Sequence, residues 1–130
     1  MAVGMPKAVI LVAEDEAVVR NVVKLALTNA GYEVLAAVDG ADALALSREY
    51  AGTIHLLLSD ICMPNLTGLE LAKRVAQERP GIRIVLMTGT SGVVFEELPR
   101  ALLRKPFRPG HLVEQVAAAL AEPREPEVRN

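Results

Sequence analysis

The chain has 130 residues, of which 52% are hydrophobic and only 3% aromatic, with a formal net charge of −2 and an isoelectric point near 5.7. This length predicts one domain with one main core, and the apolar content excludes general disorder. The acidic balance offers no basic surface for a nucleic-acid backbone, and no run of Lys or Arg stands out. Direct nucleic-acid binding is therefore not expected.

Cysteine content and apolar run lengths bear on the compartment. The single cysteine, Cys62, cannot form an internal disulfide, and no charged stretch followed by an apolar block resembles a signal peptide. The uninterrupted apolar runs have the length of strands and fall short of the ~20 residues that cross a bilayer. The sequence therefore predicts a cytoplasmic protein without membrane insertion.

Short apolar runs alternate with segments of helical period, which is typical of an α/β domain with a mostly parallel sheet. Residues 8–13 are apolar throughout, as expected of a central strand that is covered on both faces. Val and Leu recur at helical spacing over residues 16–30. A second strand is predicted at 32–36, followed by a helix at 41–50 with Asp39 as its N-cap.

The second half of the chain continues the alternation and then weakens. The pattern predicts a strand at 54–59, a helix at 66–78, a strand at 82–87 and a short fifth strand at 101–103. Residues 88–99 show little periodicity, so any fourth helix there is short or irregular. Pro109 is an early residue of a terminal amphipathic helix. The predicted domain covers residues 1–121, and the charged, Pro-containing residues 122–130 form a tail.

Polar side chains follow four of the predicted strands. Glu14 and Asp15 follow the first strand, Asp60 the third, Thr88 the fourth and Lys105 the fifth. Ligands bind outside the carboxyl ends of the strands in an open parallel sheet, so these groups are expected to converge. Three close carboxylates repel one another, and the relief is either a proton with a raised pKa or a bound hard cation. Mg²⁺ is favoured because it binds one or two carboxylates together with a phosphate.

Such a site favours phosphoryl chemistry. A bound Mg²⁺ allows a phosphorylated donor to approach acidic side chains, because it neutralises charge on the phosphoryl oxygens. A carboxylate in this setting is a competent nucleophile toward phosphorus and yields an acyl phosphate. Lys105 would then pair with one phosphoryl oxygen, and Thr88 would donate a hydrogen bond to another.

Four motifs together resemble the response-regulator receiver family, the CheY-like domains, over about residues 7–121. They are Val12-Ala13-Glu14-Asp15-Glu16, Asp60-Ile61-Cys62-Met63-Pro64 with Gly68 beyond it, Thr88-Gly89, and Lys105-Pro106-Phe107. Each motif alone is weak, but all four occur in order and each lies at a predicted strand end. The resemblance implies a flavodoxin-like, doubly wound sheet of five parallel strands in the order 2-1-3-4-5. It also implies a phosphoryl-accepting domain of a two-component relay.

The resemblance assigns roles to the acidic residues by position. It implies that Asp60 is the phosphoacceptor and that Asp15 and Asp60 bind Mg²⁺ directly. Glu14 would act mainly through a metal-bound water, and the backbone carbonyl of Cys62 would complete the protein ligands. The donor would be a histidine kinase or a histidine phosphotransfer domain, while the sequence does not identify the output partner.

The same resemblance describes the switch, and here the chain departs from the family. It implies that Lys105 contacts the phosphoryl group, that the Lys105-Pro106 bond is cis and that Thr88 moves on phosphorylation. Most members have an aromatic residue three positions before the lysine, where this chain has Leu102, and the segment before Lys105 is shorter than is common. These departures resemble receivers attached to hybrid sensor kinases. We expect a loop rearrangement over residues 88–97 without an aromatic rotor.

Three other functions are alternatives to phosphoryl acceptance. A magnesium-dependent phosphohydrolase of the haloacid dehalogenase type would need a second Asp where this chain has Cys62. A flavin or nucleotide binder would need a phosphate-binding loop after the first strand, where residues 14–16 are acidic. A receiver-like scaffold that works without phosphorylation would not need the acidic pair, Asp60 and Lys105 together, but it remains an alternative.

Overall fold

The computed structural model describes residues 6–89 and 101–122. The sheet consists of β1 (Val9–Ala13), β2 (Glu33–Ala37), β3 (Leu56–Asp60), β4 (Arg83–Thr88) and β5 (Ala101–Arg104). The helices are α1 (Ala17–Asn29), α2 (Gly40–Glu49), α3 (Gly68–Glu78) and α4 (Pro109–Ala121). All strands are parallel in the order β2-β1-β3-β4-β5, which confirms the predicted fold. The predicted fourth helix at 88–99 falls almost wholly on residues outside the described ranges, and α4 is the predicted terminal helix.

Two apolar layers cover the sheet, one on each face. Alternate residues of β1 point to opposite layers: Leu11 joins the layer that includes α2 and α3, and Val12 joins the layer that includes α1 and α4. Every residue of β1 and β3 is buried. Burial on both faces explains why these strands are continuous apolar runs and not alternating ones.

The start of α3 differs from the prediction. The helix was predicted from residue 66, but it begins at Gly68 because the Thr67 side chain accepts a hydrogen bond from the backbone N–H of Glu70 at 3.2 Å. Thr67 is therefore the N-cap, a role that its hydroxyl suits. The predicted cap of α2 is confirmed, since Asp39 Oδ1 accepts from the Asp42 N–H at 2.8 Å.

A close backbone contact fixes the end of β3 against the start of α3. The N–H of Gly68 donates to the carbonyl of Ile61 at 2.8 Å. A Cβ at position 68 would lie 2.1 Å from the carbonyl oxygen of Asp60, so no larger residue fits without a backbone shift. This contact holds the last residue of β3 at the carboxyl edge of the sheet.

At the opposite edge, Arg79 joins the end of α3 to the end of α2. Its guanidinium donates to the carbonyls of Ser47 at 2.7 Å, Tyr50 at 2.8 Å and Gly52 at 2.9 Å, and to the Ser47 hydroxyl at 3.0 Å. Carbonyls at the end of a helix lack intrahelical partners, and Arg79 supplies hydrogen bonds to them. Within the described ranges, no helix is both long enough and apolar enough to cross a membrane.

Candidate functional site

Three carboxylates converge at the carboxyl edge of the sheet. Glu14 and Asp15 follow β1, and Asp60 is the last residue of the adjacent strand β3. One carboxylate oxygen from each of the three lies within 4.8 Å of the others. Glu14 and Asp60 are buried, whereas Asp15 is exposed. The structure therefore brings together the acidic residues that the strand-end rule predicted.

Lys105 supplies the positive charge of this cluster. Its Nζ lies 2.7 Å from Glu14 Oε1 and 3.3 Å from Asp60 Oδ2. The backbone places it, because the N–H of Lys105 donates to the carbonyl of Thr88 at 2.8 Å. The Lys105-Pro106 peptide bond is cis, as the resemblance implied.

Backbone contacts hold Glu14 in place. Its N–H donates to the Ala37 carbonyl at 3.2 Å, its carbonyl accepts from Arg20 Nη1 at 2.9 Å, and its Oε2 accepts from the Glu16 N–H at 3.0 Å. The other oxygen, Oε1, is buried and close to Lys105, but it has no hydrogen bond of good geometry among the described residues. A fully buried carboxylate is the kind of group that a cation stabilises, and Lys105 already supplies one positive charge to it.

The electrostatics of the cluster are dominated by burial. Loss of water around the carboxylates raises the pKa of Glu14 and of Asp60, and this exceeds the opposing effect of Lys105. The charges of neighbouring carboxylates act in the same direction, with Asp60 raising the pKa of Glu14 and Asp15 raising that of Asp60. Burial by itself lowers the pKa of Lys105, but Glu14 and Asp60 outweigh it and the pKa is raised. The cluster thus holds a fixed cation among carboxylates that resist full ionisation.

The donor set suits a hard divalent cation. The carboxylates of Glu14, Asp15 and Asp60 outnumber the single ammonium of Lys105, so a divalent cation would relieve their repulsion. All the ligand atoms are oxygens, which Mg²⁺ prefers. The residues therefore fit the cation that the sequence favoured.

The remaining predicted site residues lie around this cluster. Thr88 is buried at the end of β4, next to β3. Leu102, in β5, is partly buried and packs against the layer of α2 and α3. Cys62 is exposed two residues beyond Asp60. The loop rearrangement predicted over residues 88–97 lies, beyond Gly89, outside the described residues.

Two contributors to the site were missed at the sequence level. Glu16 Oε1 lies 3.7 Å from Lys105 Nζ, and Arg20 holds the backbone carbonyl of Glu14. Glu16 could have been found from the sequence, because it directly follows Glu14 and Asp15 at the end of the first strand. The sequence analysis used it only as part of a motif and gave it no role. No local signal marks Arg20, because many surface arginines follow the first turn of a helix without such a contact.

An open cleft of about 470 Å³ lies at the opposite edge, between residues 51–55 and 78–83. Its most prominent cation, Arg79, already donates four hydrogen bonds to the protein. Its one carboxylate, Glu78, pairs with Arg48 at 2.7 Å. Arg83 also lines the cleft: its Nη2 donates to the Glu122 carbonyl at 2.7 Å, and its buried Nε has no hydrogen-bond partner among the described residues. The three clustered carboxylates lie at the carboxyl edge.

Comparison with known sequences identifies the family. The profile of the response regulator receiver domain matches residues 10–117. The chain belongs to this family. It is 36% identical over 116 residues to the response regulator receiver protein CpdR of Brucella abortus, covering 85% of this chain and 95% of CpdR. It is 32% identical over 126 residues to the DNA-binding transcriptional regulator NtrC of a Bradyrhizobium species, covering 93% of this chain but 26% of NtrC.

Solved structures give the same result. The receiver domain of the hybrid histidine kinase CckA is 37% identical with a TM-score of 0.76, covering 87% of this chain and 99% of that domain. The chemotaxis protein CheY4 of Vibrio cholerae is 28% identical with a TM-score of 0.78, covering 88% of this chain and 99% of CheY4. The chain is thus a phosphoryl-accepting signalling domain of the two-component type, and the likeness to CckA agrees with the resemblance to hybrid-kinase receivers.

Proposed function

We propose that this domain accepts a phosphoryl group from a phosphohistidine donor onto the side chain of Asp60, with Mg²⁺ bound at Glu14, Asp15, Asp60 and the Cys62 carbonyl. The observation that carries the proposal is the position of Asp60, at the end of β3, within 4.8 Å of two carboxylates and 3.3 Å from Lys105. A nucleophilic carboxylate beside a fixed cation and a metal-binding pair is the arrangement that phosphoryl transfer requires.

Each residue has a defined part in the transfer. A carboxylate oxygen of Asp60 forms the new bond to phosphorus while the bond between phosphorus and the donor imidazole nitrogen breaks, and the electron pair leaves with the imidazole. Lys105, already 3.3 Å from Asp60 Oδ2, donates to a phosphoryl oxygen. Bound Mg²⁺ supplies charge neutralisation for the phosphoryl oxygens. Glu14 would contribute to the cation site mainly through water, and its Oε1 lies 2.7 Å from Lys105 Nζ.

The output follows from the end of β4. The hydroxyl of Thr88 moves to donate to a phosphoryl oxygen, and the loop over residues 88–97 rearranges. Leu102 takes the place of the usual aromatic residue, so its aliphatic side chain keeps its packing against the layer of α2 and α3. The domain comprises residues 1–121 with a tail at 122–130, acts in the cytoplasm, and at most adds and removes its own phosphoryl group.

The surface of α1 supports a helical protein donor. Val18, Val22 and Leu25 are exposed and spaced four and three residues apart, so they form one apolar stripe along α1. Val18 lies near the start of α1, three residues after Asp15. A histidine kinase or histidine phosphotransfer domain that covers this stripe would bring its phosphohistidine to the carboxyl edge.

The decisive experiment uses a small phosphodonor with Mg²⁺ and intact-mass measurement. Wild type should gain one phosphate, and Asp60→Asn should gain none. Asp15→Asn is the matched control: it keeps the acceptor and should still gain one phosphate at a higher Mg²⁺ concentration. Equal labelling of wild type and Asp60→Asn would contradict the acceptor assignment. No labelling of wild type would support the scaffold, and rapid donor hydrolysis without accumulation of a phosphorylated protein would support the hydrolase.

The donor surface is tested separately with phosphorylated histidine phosphotransfer domains. Val18→Ser with Leu25→Ser should slow transfer from the protein donor about tenfold or more, because two apolar contacts are lost, and should leave labelling by the small donor unchanged. Ala45→Ser, at an exposed position of α2, is the control and should change neither rate. Equal transfer to the double variant and wild type would exclude α1 as the docking surface.

A further inference from the structure

Lys105 has a third carboxylate neighbour, which none of the proposed roles uses. Glu16 Oε1 lies 3.7 Å from Lys105 Nζ, and the Glu16 side chain is 66% exposed, against 0% for Glu14 and 9% for Asp60. Glu16 precedes α1 at the N-cap position, yet its side chain makes no capping hydrogen bond. The side chain therefore faces the site and not the helix end.

Glu16 adds a negative charge at the exposed side of the site. Its carboxylate is the third one near Lys105 Nζ, after Glu14 and Asp60, and the Arg20 guanidinium instead donates to the backbone carbonyl of Glu14. An extra negative charge attracts a cation and repels an anionic phosphodonor. It also competes with an incoming phosphoryl oxygen for Lys105.

We propose that Glu16 is a positioning residue that acts through Lys105: it strengthens binding of the divalent cation and slows phosphoryl transfer to Asp60. The proposal rests on the function proposed above for the kinetic half, whereas cation binding can be measured without any donor. The two effects have opposite signs, which separates Glu16 from a residue that merely supports the fold. Loss of a structural residue would weaken both properties together.

The expected size follows from the exposure of the carboxylate. A unit charge several ångströms away in a largely aqueous setting changes a binding or rate constant by about threefold. Salt shortens the range of such an effect to about 10 Å at 0.1 M and about 3 Å at 1 M. Both effects should therefore decrease together as the ionic strength rises.

The test compares wild type with Glu16→Gln, which removes the charge and nearly preserves the shape. Calorimetry with Mg²⁺ alone should show a Kd about threefold higher in Glu16→Gln. At saturating Mg²⁺, acetyl phosphate should label Asp60 about threefold faster in Glu16→Gln than in wild type. The increase in labelling rate should be smaller with phosphoramidate, which carries less negative charge. Glu16→Asp should restore wild-type behaviour in part. Glu49→Gln, an exposed carboxylate at the end of α2, makes the same charge change at the opposite edge and should alter neither value.

The outcomes distinguish the two proposals. A wild type that takes up no phosphate would overturn the proposed function and the kinetic half of this inference. A labelled wild type whose rate and Mg²⁺ affinity are unchanged in Glu16→Gln would overturn the role of Glu16 alone. Changes of equal size in Glu49→Gln, or changes that persist at high salt, would also overturn it, because neither agrees with a local charge effect.

Discussion

A half-buried cation lies at each end of the parallel strands, Arg79 at the amino ends (the amino edge) and Lys105 at the carboxyl ends (the carboxyl edge). The two cations have different partners. At the amino edge, Arg79 donates to three backbone carbonyls and one hydroxyl, all of them neutral acceptors. At the carboxyl edge, Lys105 lies within 4.0 Å of three carboxylates, and one of them keeps an oxygen without a well-formed hydrogen bond. Arg79 is therefore held by neutral acceptors, whereas the carboxylates around Lys105 outnumber its single positive charge.

This difference separates stability from function. Neutral acceptors at a helix end gain from a guanidinium without needing anything further. Crowded carboxylates are unfavourable in the folded chain alone and become favourable when a cation binds. Functional sites commonly reduce stability in this way. Substitutions at one edge at a time test whether stability and phosphorylation depend on different edges.

The largest effect is expected where the backbone of the carboxyl edge is fixed. Gly68→Ala places a Cβ 2.1 Å from the Asp60 carbonyl oxygen, and relief requires a backbone shift, so the free energy of unfolding should fall by about 3 kcal/mol. Labelling of Asp60 should slow as well. Gly110→Ala in α4 is the control, because nothing lies within 4 Å of its Cβ, and it should be neutral or slightly stabilising. Urea unfolding measures both, and equal stabilities would contradict the close contact.

The amino edge should lose stability without losing function. Arg79→Met removes the partner of four acceptors that water can partly replace, so we expect a loss of about 2 kcal/mol in the free energy of unfolding. Phosphorylation of the folded fraction should be unchanged, because the site lies at the other edge. Arg79→Lys should recover only part of the loss, since an ammonium has three donors and no planar fork. A slower labelling rate in Arg79→Met would show that the two edges are not independent.

Much of the fold and site could be predicted because the informative residues are local in sequence. The continuous apolar runs of β1 and β3 mark buried parallel strands, and the strand-end rule then places Glu14, Asp15, Asp60 and Lys105 at one edge. The placement of these residues needs only their order along each strand and turn. The strand order and the cis bond before Pro106 were instead implied by the resemblance to the receiver family.

What could not be predicted depends on contacts between distant segments. Nothing near Arg79 indicates that its guanidinium reaches the end of α2, because Ser47 and Gly52 belong to another helix and loop. The contact between Glu16 and Lys105 likewise joins the loop after β1 to the loop after β5, which are far apart in the sequence. The start of α3 was misplaced because Leu66 fits the apolar pattern, whereas the hydroxyl of Thr67 determines the cap.

The smallest effect tests whether the acceptor itself is unfavourable for folding. Without Mg²⁺ at pH 7, Asp60→Asn should raise the free energy of unfolding by about 1 kcal/mol, the order expected when one like-charge contact is removed. Burial, and secondarily the neighbouring Asp15, raises the pKa of Asp60 in the folded chain. As pH falls below that raised pKa, the folded chain takes up a proton before the unfolded chain does, so wild type gains stability from this group. As pH rises through the same window, that gain is lost.

The advantage of Asp60→Asn should therefore be greatest at neutral pH and shrink toward the ordinary pKa of an Asp side chain, near 3.9. Urea unfolding across this range measures the difference, and added Mg²⁺ should favour wild type because the variant has lost one metal-binding carboxylate. An asparagine variant less stable than wild type at pH 7 without Mg²⁺ would mean that the contact of Asp60 with Lys105 outweighs burial. The carboxyl edge would then stabilise the fold as the amino edge does, and excess charge would no longer distinguish the two.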